Sequence, residues 1–172
     1  DYAKGIKYPL ADFNITPDVA LVDPDLAETM PPKLTAHTGM DALTHAVEAY
    51  IGLSGTKSTN DYAEKATKLI FENLETAYND GKNLQARENM LVASFYAGMA
   101  FARAYVGYVH AIAHNLGGIY GTPHGLANAV ILPHVLEYYG DTAYEKLAKL
   151  AEIVGIGGYS QADKAMNFID AI

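Results

Sequence analysis

Two pairs of residues in this chain sit at a spacing that could hold a metal ion. Asp41 and His45 are four apart in "HTGMDALTHAVE", and His110 and His114 are four apart in "VHAIAHNLGG". On a helix, each pair shares a face with Cβ atoms about 5–6 Å apart. Such a pair can close on one ion through bonds of about 2.0–2.2 Å. For Asp41 and His45, spacing alone favours the plainer reading, a surface pair or a satisfied core histidine. His37 extends that face in i, i+4, i+8 fashion, too far for one ion to reach both ends. His110 and His114 lie among Val, Ala, Ile and Leu, where imidazoles without partners would be costly and a cation would satisfy them. His124 follows in "GTPHG", after a glycine-rich turn able to swing it back toward the helix end. One carboxylate with imidazoles suits Zn²⁺ or Fe²⁺. Spacing leaves open which of His110, His114 and His124 complete the set. His134, further on, reads as packing or a hydrogen-bond donor.

The elements that must position these residues read as helices. Residues 1–25 differ from the rest, with short apolar runs broken by Pro, Asp and Asn. "VALVD", Val19 to Asp23, reads as a buried strand ended by Pro24. A first long helix begins at "PPK", where proline is tolerated, and stops at Gly52 and Gly55. A second begins near a capping Thr59 or Asn60 and ends at "NDGKN". The third, "LQARENMLVASFYAGMAFARAY", is nearly apolar in its second half, which predicts a central position. The fourth closes on Gly117–Gly118. The fifth, "LANAVILPHVLEYY", carries Pro133, predicted to kink or interrupt it. "TAYEKLAKLAEIVG" and "SQADKAMNFIDAI" are two more. The residues predict an all-α domain after a short α/β remnant.

Composition narrows the function classes. At 172 residues with 50% hydrophobic and 19% charged side chains, the chain is globular and about one domain long. Its net charge is −8, so neither nucleic acid nor an anionic membrane surface is expected as a partner. There is no cysteine, which excludes a disulfide framework, a thiolate zinc site and a catalytic thiol. No signal peptide and no apolar run of membrane-spanning length is visible, so the cytoplasm is the default location. The chain starts at Asp1 and ends inside an amphipathic pattern, which reads as a fragment of a longer protein. H-E-x-x-H, E-x-x-H, an adjacent His-Asp doublet and G-x-S-x-G are all lacking. "GGIYG" follows a helix, not a strand, and so reads as a helix end instead of a phosphate loop.

"DPDLAETMPPKLTAHTGMDALTHAVEAY" and "GYVHAIAHNLGGIYGTPHGLANAVILPHVLEYY" closely resemble the two signature regions of the iron-containing (group III) alcohol dehydrogenases, in register from residue 17 to about 155. The resemblance implies metal ligands at Asp41, His45, His110 and His124. It places His114 near the nicotinamide and the substrate, as a catalytic proton relay, and gives no metal role to His37 or His134. It implies Fe²⁺, with Zn²⁺ as the alternative, and NAD or NADP in the full-length protein. The ion would act as a Lewis acid while hydride passes between a small alcohol or aldehyde and the cofactor. Residues 1–25 would be the remnant of a dinucleotide-binding α/β domain, and 26–172 a multi-helix metal-binding domain with an incomplete C-terminal end. The family's Gly-Gly-Gly-Ser-type phosphate motif is lacking, so this chain alone is expected to be inactive. A second copy of the chain, in a homo-oligomer, is a candidate partner; a non-enzymatic metal-binding module and a glycerol dehydrogenase or maleylacetate reductase stand as alternative functions.

Overall fold

The structure is a computed structural model that describes Ala3, Lys4, Ile6, Leu10 and residues 12–172. Seven α-helices are present among these residues: α1 (Pro32–Ile51), α2 (Lys57–Asn79), α3 (Leu84–Ala104), α4 (Tyr108–Tyr120), α5 (His124–Tyr139), α6 (Asp141–Ile153) and α7 (Gln161–Ala171). Two short 3-10 turns, Phe13–Ile15 and Pro24–Ala27, precede them. The rest of the segment 1–25 lies partly outside the described residues.

The predicted strand at Val19–Asp23 is not there, and no strand occurs among the described residues. Val19 is 72% exposed and Leu21 is 93% exposed. A strand exists through its ladder with a neighbour, and among the described residues none runs beside this segment. Asp23 instead caps the turn that follows, its Oδ1 accepting from the Asp25 backbone N–H at 3.1 Å.

Helix α1 is the element around which the others assemble, packing against α2, α3, α5 and α6. Pro32 occupies its first turn, where a missing N–H costs nothing. Its buried positions include Gly39, Ala42, Leu43, Ala46, Val47, Ala49 and Tyr50, so the helix is enclosed on more than one side. Helix α3, predicted to be central, leaves Phe95 and Met99 exposed. Its buried positions are mostly alanines, Ala86, Ala93, Ala97, Ala100 and Ala104. That small-residue stripe brings α3 close to its neighbours on one side, and its larger apolar side chains stay on the open side. Apolar composition thus overstated its burial.

Other boundaries shift for local reasons. Helix α2 is capped by Thr56, three residues before Thr59, because Thr56 and Thr59 form a reciprocal capping box. Helix α4 runs past Gly117 and Gly118 to Tyr120, and the chain turns at Gly121 with φ of 67°. Pro133 lies within the single helix α5. Arg87 of α3 is buried and secures the start of α1. Its Nε donates to Gly81 O at 2.9 Å, Nη1 to Thr35 Oγ1 at 2.6 Å and Nη2 to Met30 O at 2.8 Å. Leu43, Val47, Ile70, Leu132, Leu136, Leu147, Leu150 and Phe168 form the shared core. That core holds α1 and α5, two of the helices that carry the site.

Candidate metal centre

Three helices converge on one point. α1 brings Asp41 and His45, α4 brings His110 from its first turn, and α5 begins at His124. What draws α5 in is Gly125. A Cβ there would sit 2.1 Å from the His37 backbone oxygen, so only a glycine lets the start of α5 lie against the α1 backbone. His124 is carried to the α1 face by that approach.

One ligand atom from each of Asp41, His45, His110 and His124 lies within 4.8 Å of the others. Asp41 Oδ1 is 3.5 Å from His124 Nε2 and 3.8 Å from His110 Nε2. His45 is sandwiched between Phe101 and His110, with ring centroids 4.2 and 4.3 Å away. Burial, reinforced by the neighbouring His110 and opposed by Asp41, lowers the His45 pKa from 6.5 to about 4. His45 is therefore neutral at pH 7 and has a lone pair to offer.

The donor set fits a divalent cation. Asn128, fully buried on α5, places its Nδ2 2.5 Å from Asp41 Oδ1, 3.1 Å from His110 Nε2 and 3.3 Å from His124 Nε2. An amide nitrogen carries two hydrogens, so it cannot donate to all three of these atoms. Its own Oδ1 is buried without a hydrogen-bond partner. The centre is rich in acceptors and poor in positive charge. One carboxylate oxygen and three imidazole nitrogens suit Fe²⁺ and Zn²⁺.

His114 stands beside this group, half-buried, its ring centroid 5.9 Å from His110 and 5.2 Å from His124. His37 is half-buried on α1, and its carbonyl is the surface that meets Gly125. His134 is exposed, 3.8 Å from Glu137 one helical turn on.

Two residues at the centre escaped the sequence reading. Glu48 is buried, with Oε2 2.6 Å from His110 Nδ1 and Oε1 accepting from the Val109 backbone N–H at 2.8 Å. Asn128 is the other. The signal was helical spacing from a candidate ligand. Glu48 continues the Asp41–His45 face at i+7, and Asn128 is four residues past His124.

Residues 35–172 match the model of the Fe-containing alcohol dehydrogenase family, C-terminal. The chain belongs to this family. The matched stretch contains Asp41, His45, His110, His114 and His124. The chain is 48% identical over 172 residues to the NADPH-dependent butanol dehydrogenase of Clostridium saccharobutylicum, covering 100% of this chain and 44% of that protein. It is 51% identical over 169 residues to the 1,3-propanediol dehydrogenase of Klebsiella pneumoniae, covering 97% of this chain and 44% of that protein. A crystal structure of a 1,3-propanediol oxidoreductase superposes with a TM-score of 0.85 at 53% identity, covering 87% of this chain and 40% of that one. The chain therefore spans less than half the length of these three relatives. Among its described residues, no single helix is long and apolar enough to cross a membrane.

Proposed function

We propose that this chain forms the metal-holding half of an alcohol dehydrogenase active site, interconverting a small alcohol with its aldehyde or ketone. Asp41, His45, His110 and His124 hold Fe²⁺, or Zn²⁺ in its place. NAD or NADP is held chiefly by the part of the protein outside this chain. Residues 26–172 are the helical metal-binding domain, and residues 1–25 are the remnant of the nucleotide-binding domain. The observation that carries this reading is the meeting of four ligand atoms from three helices within 4.8 Å of one another. The dehydrogenases named above add support, since they match the chain over nearly its whole length.

A divalent ion held there supplies Lewis-acid polarisation of an alcohol or carbonyl oxygen, and the nicotinamide exchanges the hydride. The rest is the work of the chain. With one carboxylate against three imidazoles, the protein ligands neutralise only half of a divalent charge, which leaves the site attractive to an oxygen losing its proton. Asp41 and His45 are fixed on the most enclosed helix, which holds ligand positions steady without reorganisation. Asn128 donates to Asp41 Oδ1 and restrains the carboxylate. His114, half-buried beside His110 and His124, moves the hydroxyl proton between the site and solvent through its imidazole.

The test is alcohol-dependent reduction of NAD⁺ and NADP⁺ by the full-length protein loaded anaerobically with Fe²⁺. Turnover of small primary alcohols that disappears on chelation and returns with the ion is the expected result. Turnover undiminished in a chelated protein shown to be metal-free would overturn the reading.

A further inference from the structure

Glu48 is only 3% exposed, and its ion-pair partner among the described residues is the His110 ring, not a lysine or arginine. Taking a carboxylate out of water costs several kcal/mol unless charge and hydrogen bonds replace the water. Both of its oxygens are engaged, and each with a part of α4. Oε1 accepts from Val109 N–H at 2.8 Å, and Oε2 lies 2.6 Å from His110 Nδ1. Val109 belongs to the first turn of α4, whose N–H groups lack partners within the helix. The residue at the cap position, Gly107, has no side chain to supply one. Glu48 therefore reaches across from α1 to do so, and the positive end of α4 favours its charge.

We propose that Glu48 is a positioning residue for the metal centre, capping α4 through one oxygen and fixing the tautomer of His110 through the other. The inference rests on the metal reading of the site given above. A carboxylate only accepts hydrogen bonds, so the proton shared with Oε2 belongs to the His110 ring. A neutral imidazole has one N–H, and with Nδ1 carrying it, Nε2 keeps its lone pair. Nε2 is the nitrogen that faces Asp41 and Asn128. The opposite tautomer would set a lone pair against Glu48 and point an N–H into the centre. One buried carboxylate thus sets where α4 begins and which nitrogen its histidine presents.

The experiment uses the full chain with Co²⁺ as the probe ion, titrated by its visible absorption. Glu48→Gln keeps the side chain's size. Its amide oxygen satisfies Val109 N–H, and its NH₂ then faces His110 Nδ1 and drives the ring proton to Nε2. Co²⁺ affinity is expected to fall about 10- to 100-fold with helix content unchanged. In a His110→Ala background the same substitution is expected to cost no further affinity, because Glu48 acts through His110. Equal losses in both backgrounds would make Glu48 a structural cap alone and overturn the inference. ¹⁵N NMR of the histidine rings in the unsubstituted, metal-free protein at alkaline pH needs no variant. The Nδ1–H tautomer at His110 is expected, and Nε2–H overturns the inference. Undiminished Co²⁺ affinity in Glu48→Gln sinks the role of Glu48 and leaves the metal reading standing. An unsubstituted protein that takes up no Co²⁺ overturns the metal reading, and this inference with it.

Discussion

Replacing Gly125 with alanine adds one methyl group, and two effects of opposite sign compete. Alanine is the better helix former, and in an open helix it would stabilise α5 by about 1 kcal/mol. At this position, however, the new Cβ would lie 2.1 Å from His37 O and 2.6 Å from His37 C. Ordinary contact begins near 3.4 Å, so the start of α5 must withdraw by about 1.3 Å, the difference between the two distances. The obstacle is backbone of the most enclosed helix, which has little room to yield. Overpacking of this kind costs about 1–3 kcal/mol, which outweighs the gain in propensity. The site is affected as well. His124 adjoins Gly125, and metal–ligand distances tolerate only about ±0.2 Å. Disturbing the placement of a ligand costs about 10- to 100-fold in metal affinity. Co²⁺ titration and thermal melting of Gly125→Ala are therefore expected to show affinity down by about that factor and Tm lowered by a few degrees. Unchanged affinity with a raised Tm would refute the claim that this close approach places His124.

Other consequences follow from the same packing. His110→Ala and His124→Ala should each sharply reduce bound metal, whereas His114→Ala should keep it and lose turnover; equal metal loss from all three, measured by elemental analysis, would remove the relay role of His114. Arg87→Met strips donors from Gly81 O, Met30 O and Thr35 Oγ1 at once. It should lower unfolding free energy by about 3 kcal/mol in urea, the scale for breaking a buried charge-assisted network. Tyr105, exposed at the α3–α4 junction, has φ of 66° and ψ of −178°, a region that suits glycine. Tyr105→Gly should therefore raise Tm, against the usual cost of a new glycine, and a fall in Tm would show that the ring holds the junction.

The helices that carry the candidate ligands were legible because their signals are local. Proline starts α1, periodic apolar residues run through it, and Asp41 and His45 share its face by arithmetic alone. His124 was harder, since its place depends on a contact between α5 and the α1 backbone, and only the glycine after it hinted at that contact. Glu48 was passed over because a glutamate at helical spacing usually faces water; its burial depends on where α4 begins, 61 residues later. Asn128 was missed for the same reason, its amide reaching Asp41 across 87 residues of chain. The strand at Val19–Asp23 failed differently. Its apolar run is real, but a strand is a property of a pair. The central position assigned to α3 failed because composition counts apolar residues without saying which side another helix covers.

The most direct measurement is the metal content of the full chain purified without oxygen and supplied with Fe²⁺, set beside that of a His110→Ala/His124→Ala double variant of equal helix content. The account predicts about one ion per chain in the first and almost none in the second, as expected of a site built from these side chains. Equal metal in both, or none in a well-folded unsubstituted protein, would contradict the assignment of Asp41, His45, His110 and His124 as the ligands.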